Sequence, residues 1–162
     1  MNNDLVFTPI RQLAELLKSR QISPMQLSEI FLDRLEQRGP SYNALTTLTR
    51  ERASRQAEQA EREISAGDYK GPLHGIPWGA KDLLATSDGI PTSWGAAPLK
   101  DQTFDFDATV VRRLEEAGAV LAGKLAMIEL AGGMGYRQPT ATFTGPPRNP
   151  WNRETWTGGA SA

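Results

Sequence analysis

Apolar positions recur at helical spacing through the first part of the chain. Thr8 is placed to cap a helix with Pro9 at its first position, and Ile10, Leu13 and Leu17 mark one face as far as about Ser19. The signal then returns more strongly. Ser23-Pro24-Met25-Gln26 combines an N-cap, a proline at the first helical position and a capping-box glutamine, and the stripe Leu27, Ile30, Phe31, Leu35 follows, expected to stop at Gly39-Pro40. Residues 44–48 read as a short strand. A helix over 50–66 should follow, closed by Gly67, with a thin stripe of Ala53, Ala57, Ala60 and Ile64. Its other faces interleave acids and bases, the pattern of a solvated surface rather than of a helix for a nucleic-acid groove.

From Gly71 the texture changes to alternating strands, loops and helices. Residues 76–82 read as a strand entering a loop, and 85–103 as a long connection rich in Gly, Pro and Ser that contains Gly89-Ile90-Pro91-Thr92-Ser93. Long ordered loops often carry sites. Asp107 is placed to cap a helix with the face Val110, Val111, Leu114, Ala117, ending at Gly118, and 119–123 then form an apolar strand leading to Lys124. A brief helix over 126–131 ends in Gly132-Gly133, and the rest is loop-like. Strand, crossover helix and strand imply a parallel pair with helices packed on it, the α/β class.

Composition narrows the chemistry by exclusion. The 162 residues carry 18 Lys plus Arg against 19 Asp plus Glu, a net charge of -1, so no global field draws the protein to nucleic acid or anionic lipid. With 0 Cys there is no thiolate nucleophile and no disulfide frame, which suits a cytoplasmic location. No stretch approaches the roughly 20 apolar residues of a membrane span. His74 is the only histidine, which rules out a multi-histidine metal site; a structural role at the turn before the strand is the commoner fate of such a residue. The glycines at 132, 133 and 135 lack dinucleotide-fingerprint spacing, and there is no phosphate loop of the GxxxxGK[ST] type. No cofactor or metal is indicated.

Lys81 is the candidate that survives. It ends GPLHGIPWGAKD (71–82), where a cation follows an apolar run punctuated by glycine and proline. A lysine in water titrates near 10.4, so one acting as a base near neutrality must lose hydration. The local pattern by itself favours the plainer reading, a lysine at a strand end whose ammonium reaches water.

Wider context points the other way. Pro72-Leu73-His74-Gly75-Ile76-Pro77, Lys81-Asp82, Gly89-Ile90-Pro91-Thr92-Ser93, the 107–129 stretch with AGAVLAGKLAMIEL, Arg148-Asn149-Pro150-Trp151-Asn152 and the terminal Thr157-Gly158-Gly159-Ala160-Ser161-Ala162 occur in that order. Taken together, they resemble the amidase signature family, whose members cleave or transfer amides with a Ser-cisSer-Lys triad. The resemblance implies an N-terminal helical hairpin (1–40) and the first part of a mixed β-sheet flanked by helices (41–162), together the N-terminal portion of one amidase domain. It also implies that Lys81 is the base, that Ala160 stands at the bridging-serine position, that Ser161 matches the supporting serine after it, and that Gly132, Gly133, Gly158 and Gly159 lie against substrate.

Two departures qualify what the resemblance implies. The methyl of Ala160 cannot relay a proton, and the family's nucleophilic serine lies beyond Ala162. The expectation is therefore an N-terminal piece of an amidase for linear amides, inactive alone. Its partners are a small-molecule amide and either a second copy or amidotransferase subunits, with no membrane or direct nucleic acid. The alternatives are the amidase subunit of a tRNA-dependent amidotransferase, or a non-catalytic binding or scaffold member.

Overall fold

A computed structural model of the chain describes residues 5–132, 142–155 and 157. Helix α1 (Ile10–Lys18) begins one residue later than expected, with Pro9 in the cap position and no side-chain cap. It buries Leu13 and Leu17 against Ile22, Leu27, Ile64 and Ile76. Helix α2 (Pro24–Tyr42) opens with the expected capping box: the Ser23 hydroxyl accepts from Gln26 N–H, and the Gln26 side chain returns the bond to the Ser23 N–H.

The end of α2 corrects the sequence reading. The helix runs through Gly39-Pro40 and stops only at Asn43, whose left-handed backbone (φ 51°) turns the chain. Pro40 lies on the exposed side, where water can take the partner that its missing N–H denies to the preceding turn. Gly39 is buried against strand β1 (Leu45–Leu48); a Cβ at 39 would lie 3.5 Å from that of Leu45, an ordinary van der Waals contact, so the position needs burial rather than glycine itself.

Helix α3 (Arg50–Ala66) ends on left-handed Gly67 and buries the expected alanine stripe with Ile64. Strand β2 (Pro77–Lys81), helix α4 (Thr109–Glu116) and strand β3 (Val120–Leu125) form the anticipated parallel unit. The sheet order is β1-β3-β2, with β1 antiparallel to β3, so the sheet is mixed. Central β3 is buried along most of its length, and its Val120 and Ala122 pack with Leu32, Ala53 and Ala57 of α2 and α3.

Two further expectations fail. Asp107 does not cap α4, which starts after Ala108 without a side-chain cap; its carboxylate is taken instead by Arg52 and the Ser87 N–H. Residues 126–131 are not a helix. Ala126, Met127 and Ile128 continue from β3 as buried extended chain, Ala126 N–H bonds to the Ala44 carbonyl, and only the short 3-10 turn Glu129–Ala131 follows. The pull of that apolar triplet into the core outweighs its helical spacing. Among the described residues no helix is long and apolar enough to cross a membrane.

Candidate functional site

The sheet places Lys81 at a boundary. It is the last residue of β2, opposite Leu125 of β3, and β2 is an edge among the described strands. Its carbonyl accepts from Leu84 N–H at 3.0 Å, which begins the turn out of the strand. The side chain is half-buried, and no hydrogen bond or ion pair joins its ammonium to another described residue.

Side chains alternate along a strand, so Lys81 and the following Asp82 leave the backbone on opposite faces. Asp82 is buried, on the face of Ala80 and its cross-strand neighbour Lys124. Its backbone is held twice, by its N–H to Leu125 O at 3.0 Å and by Trp94 N–H to its carbonyl at 3.1 Å. The carboxylate oxygen Oδ2 accepts from both the N–H and the hydroxyl of Ser93, and Ser93 Oγ accepts from Gly95 N–H at 3.1 Å. Asp82 is thus committed to a loop, as the opposite-face geometry requires. It does not face Lys81.

The other half of this network is not legible from motifs. Lys124 lies in VLAGKLA (120–126) inside the central strand, fully buried, although its charge favours water. Its Nζ donates to Thr92 Oγ1 at 2.7 Å, Leu84 O at 2.9 Å and Pro91 O at 3.3 Å, and lies 3.4 Å from Asp82 Oδ1. That last oxygen has no hydrogen bond of good geometry, so its contact with Lys124 is an ion pair rather than a hydrogen bond. Burial lowers the pKa of Lys124, and the charge of Asp82 opposes that drift without cancelling it. The apolar run on both sides of the lysine is the signal that could have revealed its burial.

Glycine is required where the loop crosses the sheet. Gly95 has φ 72°, and a Cβ there would lie 2.5 Å from the Met127 carbonyl oxygen. Beside this, buried Arg52 on α3 clamps Asp107 with both arms at 2.7 and 3.0 Å and reaches Glu115 at 2.6 Å. Burial works to lower its pKa but these carboxylates outweigh it and raise it; in turn Arg52 and the Ser87 N–H overcome burial and hold Asp107 below the usual carboxylate range. The clamp ties the long connection to α3 and α4.

Of the remaining site residues, Gly132 is exposed, with its N–H on Glu129 O at 2.9 Å. Gly133, Gly158, Gly159, Ala160 and Ser161 lie outside the described residues. The approach to them is ordered by Asn149 and Asn152, whose side chains accept from Trp151 and Glu154 N–H, and by Thr157 N–H on Pro147 O at 2.9 Å. Among the described residues no cluster of three His, Asp or Glu could hold a metal.

A family model described as Amidase matches residues 26–162. The chain belongs to the amidase signature family. A glutamyl-tRNA(Gln) amidotransferase subunit of Halorhodospira halophila is 41% identical over 152 residues, covering 94% of this chain and 30% of its own length. A Mycobacterium bovis protein named as the amidase AmiD is 39% identical over 153 residues, again 94% of this chain and 31% of its own length. A bacterial aryl acylamidase of the family superposes with a TM-score of 0.83 at 33% identity, over 95% of this chain and 31% of that one. The chain therefore spans about a third of the amidase relatives it matches. The mixed sheet and its flanking helices are the amidase signature fold.

Proposed function

We propose that the chain supplies the lysine end of a Ser-Ser-Lys relay, as the N-terminal portion of a longer single-domain amidase that hydrolyses a linear carboxamide to a carboxylic acid and ammonia or an amine. The observation that carries the reading is the contrast between two neighbouring lysines. Lys124 is spent on four oxygens in the core, whereas Lys81 stands half-buried at a strand end with its amine uncommitted among the described residues.

In this reading the Lys81 amine takes the proton of a nucleophilic serine through a bridging hydroxyl, the serine oxygen bonds to the amide carbon, and the same proton passes to the leaving nitrogen as the C–N bond breaks. Water then hydrolyses the ester. Because the chain spans about a third of its amidase relatives, this reading draws the nucleophile from the rest of a full-length amidase and expects no turnover from these residues by themselves. The bridging place holds Ala160, which leaves Ser161 as the adjacent hydroxyl. A small-molecule amide is the substrate, no cofactor takes part, and a cytoplasmic setting suits a chain without cysteine.

A second reading, the amidase subunit of a tRNA-dependent amidotransferase, is supported by relatives named as glutamyl-tRNA(Gln) amidotransferase subunits at 35 to 41% identity. Release of ammonia from simple amides and from glutamine, with and without amidotransferase partner subunits, separates the two. Turnover of simple amides by the full-length protein alone supports the first, and turnover of glutamine only with partners supports the second. Silence that Ala160→Ser does not relieve sinks both and leaves a binding or scaffold role.

A further inference from the structure

We propose that Lys124 is a positioning residue for Lys81, acting through Asp82 to set the direction in which the Lys81 side chain leaves the edge of the sheet. The inference rests on the reading of Lys81 as the relay base. Three ammonium protons face four oxygens, drawn from Asp82, Leu84, Pro91 and Thr92. Asp82 then holds Ser93, and Ser93 holds Gly95. One cation on the central strand therefore organises both ends of the loop that starts at the residue after Lys81.

Stability alone does not account for this choice. Apolar side chains of similar volume commonly replace a buried ion pair without loss, and often with gain. An apolar side chain could fill the space beside β3, but it could not dictate where two carbonyls, a hydroxyl and a carboxylate point. That direction matters for a base, because a displacement of about 1 Å is enough to cost a reaction on the order of a hundredfold. Lys81 shares a peptide bond with Asp82, whose N–H is held by Leu125 O and whose carbonyl accepts from Trp94 N–H. The Asp82 carboxylate adds a further tie by fixing Ser93, the residue before Trp94, and so the turn that supplies that N–H.

The test uses the full-length protein with Lys124→Met and Asp82→Asn, singly and together, and Lys81→Ala alongside. The double variant is decisive because it leaves neither buried charge unpaired. Expected for it are cooperative unfolding, KM for a simple amide within about threefold of the unsubstituted protein and kcat lower by about tenfold or more. A smaller fall in kcat, a fall in kcat/KM carried by KM, or failure of the double variant to fold overturns the inference and makes the pair a core element only. Activity in Lys81→Ala overturns the base reading itself, whereas an inactive Lys81→Ala beside a fully active double variant overturns only this inference. If the unsubstituted protein is silent, the series is run on Ala160→Ser, and silence there removes both.

Discussion

At residue 74 the imidazole is held neutral by what surrounds it. Nδ1 accepts from Lys70 N–H at 3.1 Å, so the ring proton sits on Nε2, 2.9 Å from Glu63 Oε2. The ring stacks on Tyr69 and lies under Gly118, whose φ of 81° and missing side chain leave room for it. Burial is the main cause that lowers the His74 pKa; Lys70 adds to it, while Glu63 and Asp68 oppose it. The unfolded chain thus takes up the proton first as pH falls. Stability should be complete above about pH 6.5 and decline below it. Urea unfolding midpoints should fall as the pH is lowered from weakly alkaline to weakly acid, and His74→Asn should flatten that slope; Glu63, whose own pKa is lowered, contributes only at more acid pH. At position 81, Lys81→Ala should abolish acyl-enzyme formation in the full-length protein while shifting stability by no more than about 1 kcal/mol, as expected of a partly buried side chain whose ammonium has no partner among the described residues. Mass spectrometry of the trapped ester together with a thermal melt measures both. If Ala160 occupies the relay position, Ala160→Ser should raise the hydrolysis rate by about 10² to 10⁴.

Among the elements, α2 and α3 show what sequence patterns reveal and where they stop. The capping box of α2 is legible because both of its bonds are local, and Ser23→Ala should cost about 1 kcal/mol in a urea titration. The end of α2 is not legible, because the sequence signal Gly39-Pro40 is overridden by packing of Gly39 on Leu45 and by a turn made three residues later at Asn43. The alanine stripe of α3 follows from its period, but Arg52, which the same period assigns to a solvated face, is buried. Its partners lie 55 and 63 residues away, a distance no helical period reports. Removing it leaves Asp107 desolvated and without its cation, so Arg52→Ala should destabilise the full-length protein by about 3 kcal/mol, read from urea unfolding. An Asp107→Asn change made with it should recover part of that loss.

At the scale of the whole molecule, the α/β class and the parallel β2–α4–β3 unit follow from alternating periods, and the place of Lys81 at a strand end follows from an apolar run closed by a cation. The buried polar network around Lys124 does not, since burial of a charge depends on oxygens gathered from a loop some thirty residues earlier. The surface is unusually apolar in places: Trp151 is 95% exposed, Phe7 78% and Leu130 59%. With β1 and β2 also at the sheet edges among the described residues, the chain expressed by itself should self-associate and bind a hydrophobic dye. Light scattering with dye fluorescence measures this, and a monodisperse, dye-silent chain would contradict it.

The enclosure of Lys124 also makes it a reporter. Lys18, Lys70, Lys81 and Lys100 keep some contact with solvent, so an amine-acylating reagent can reach them in the native protein, whereas Lys124 becomes reactive only when the sheet opens. The acylation rate of that one residue, followed by peptide mapping, would therefore give the opening free energy of the central strand without any added label.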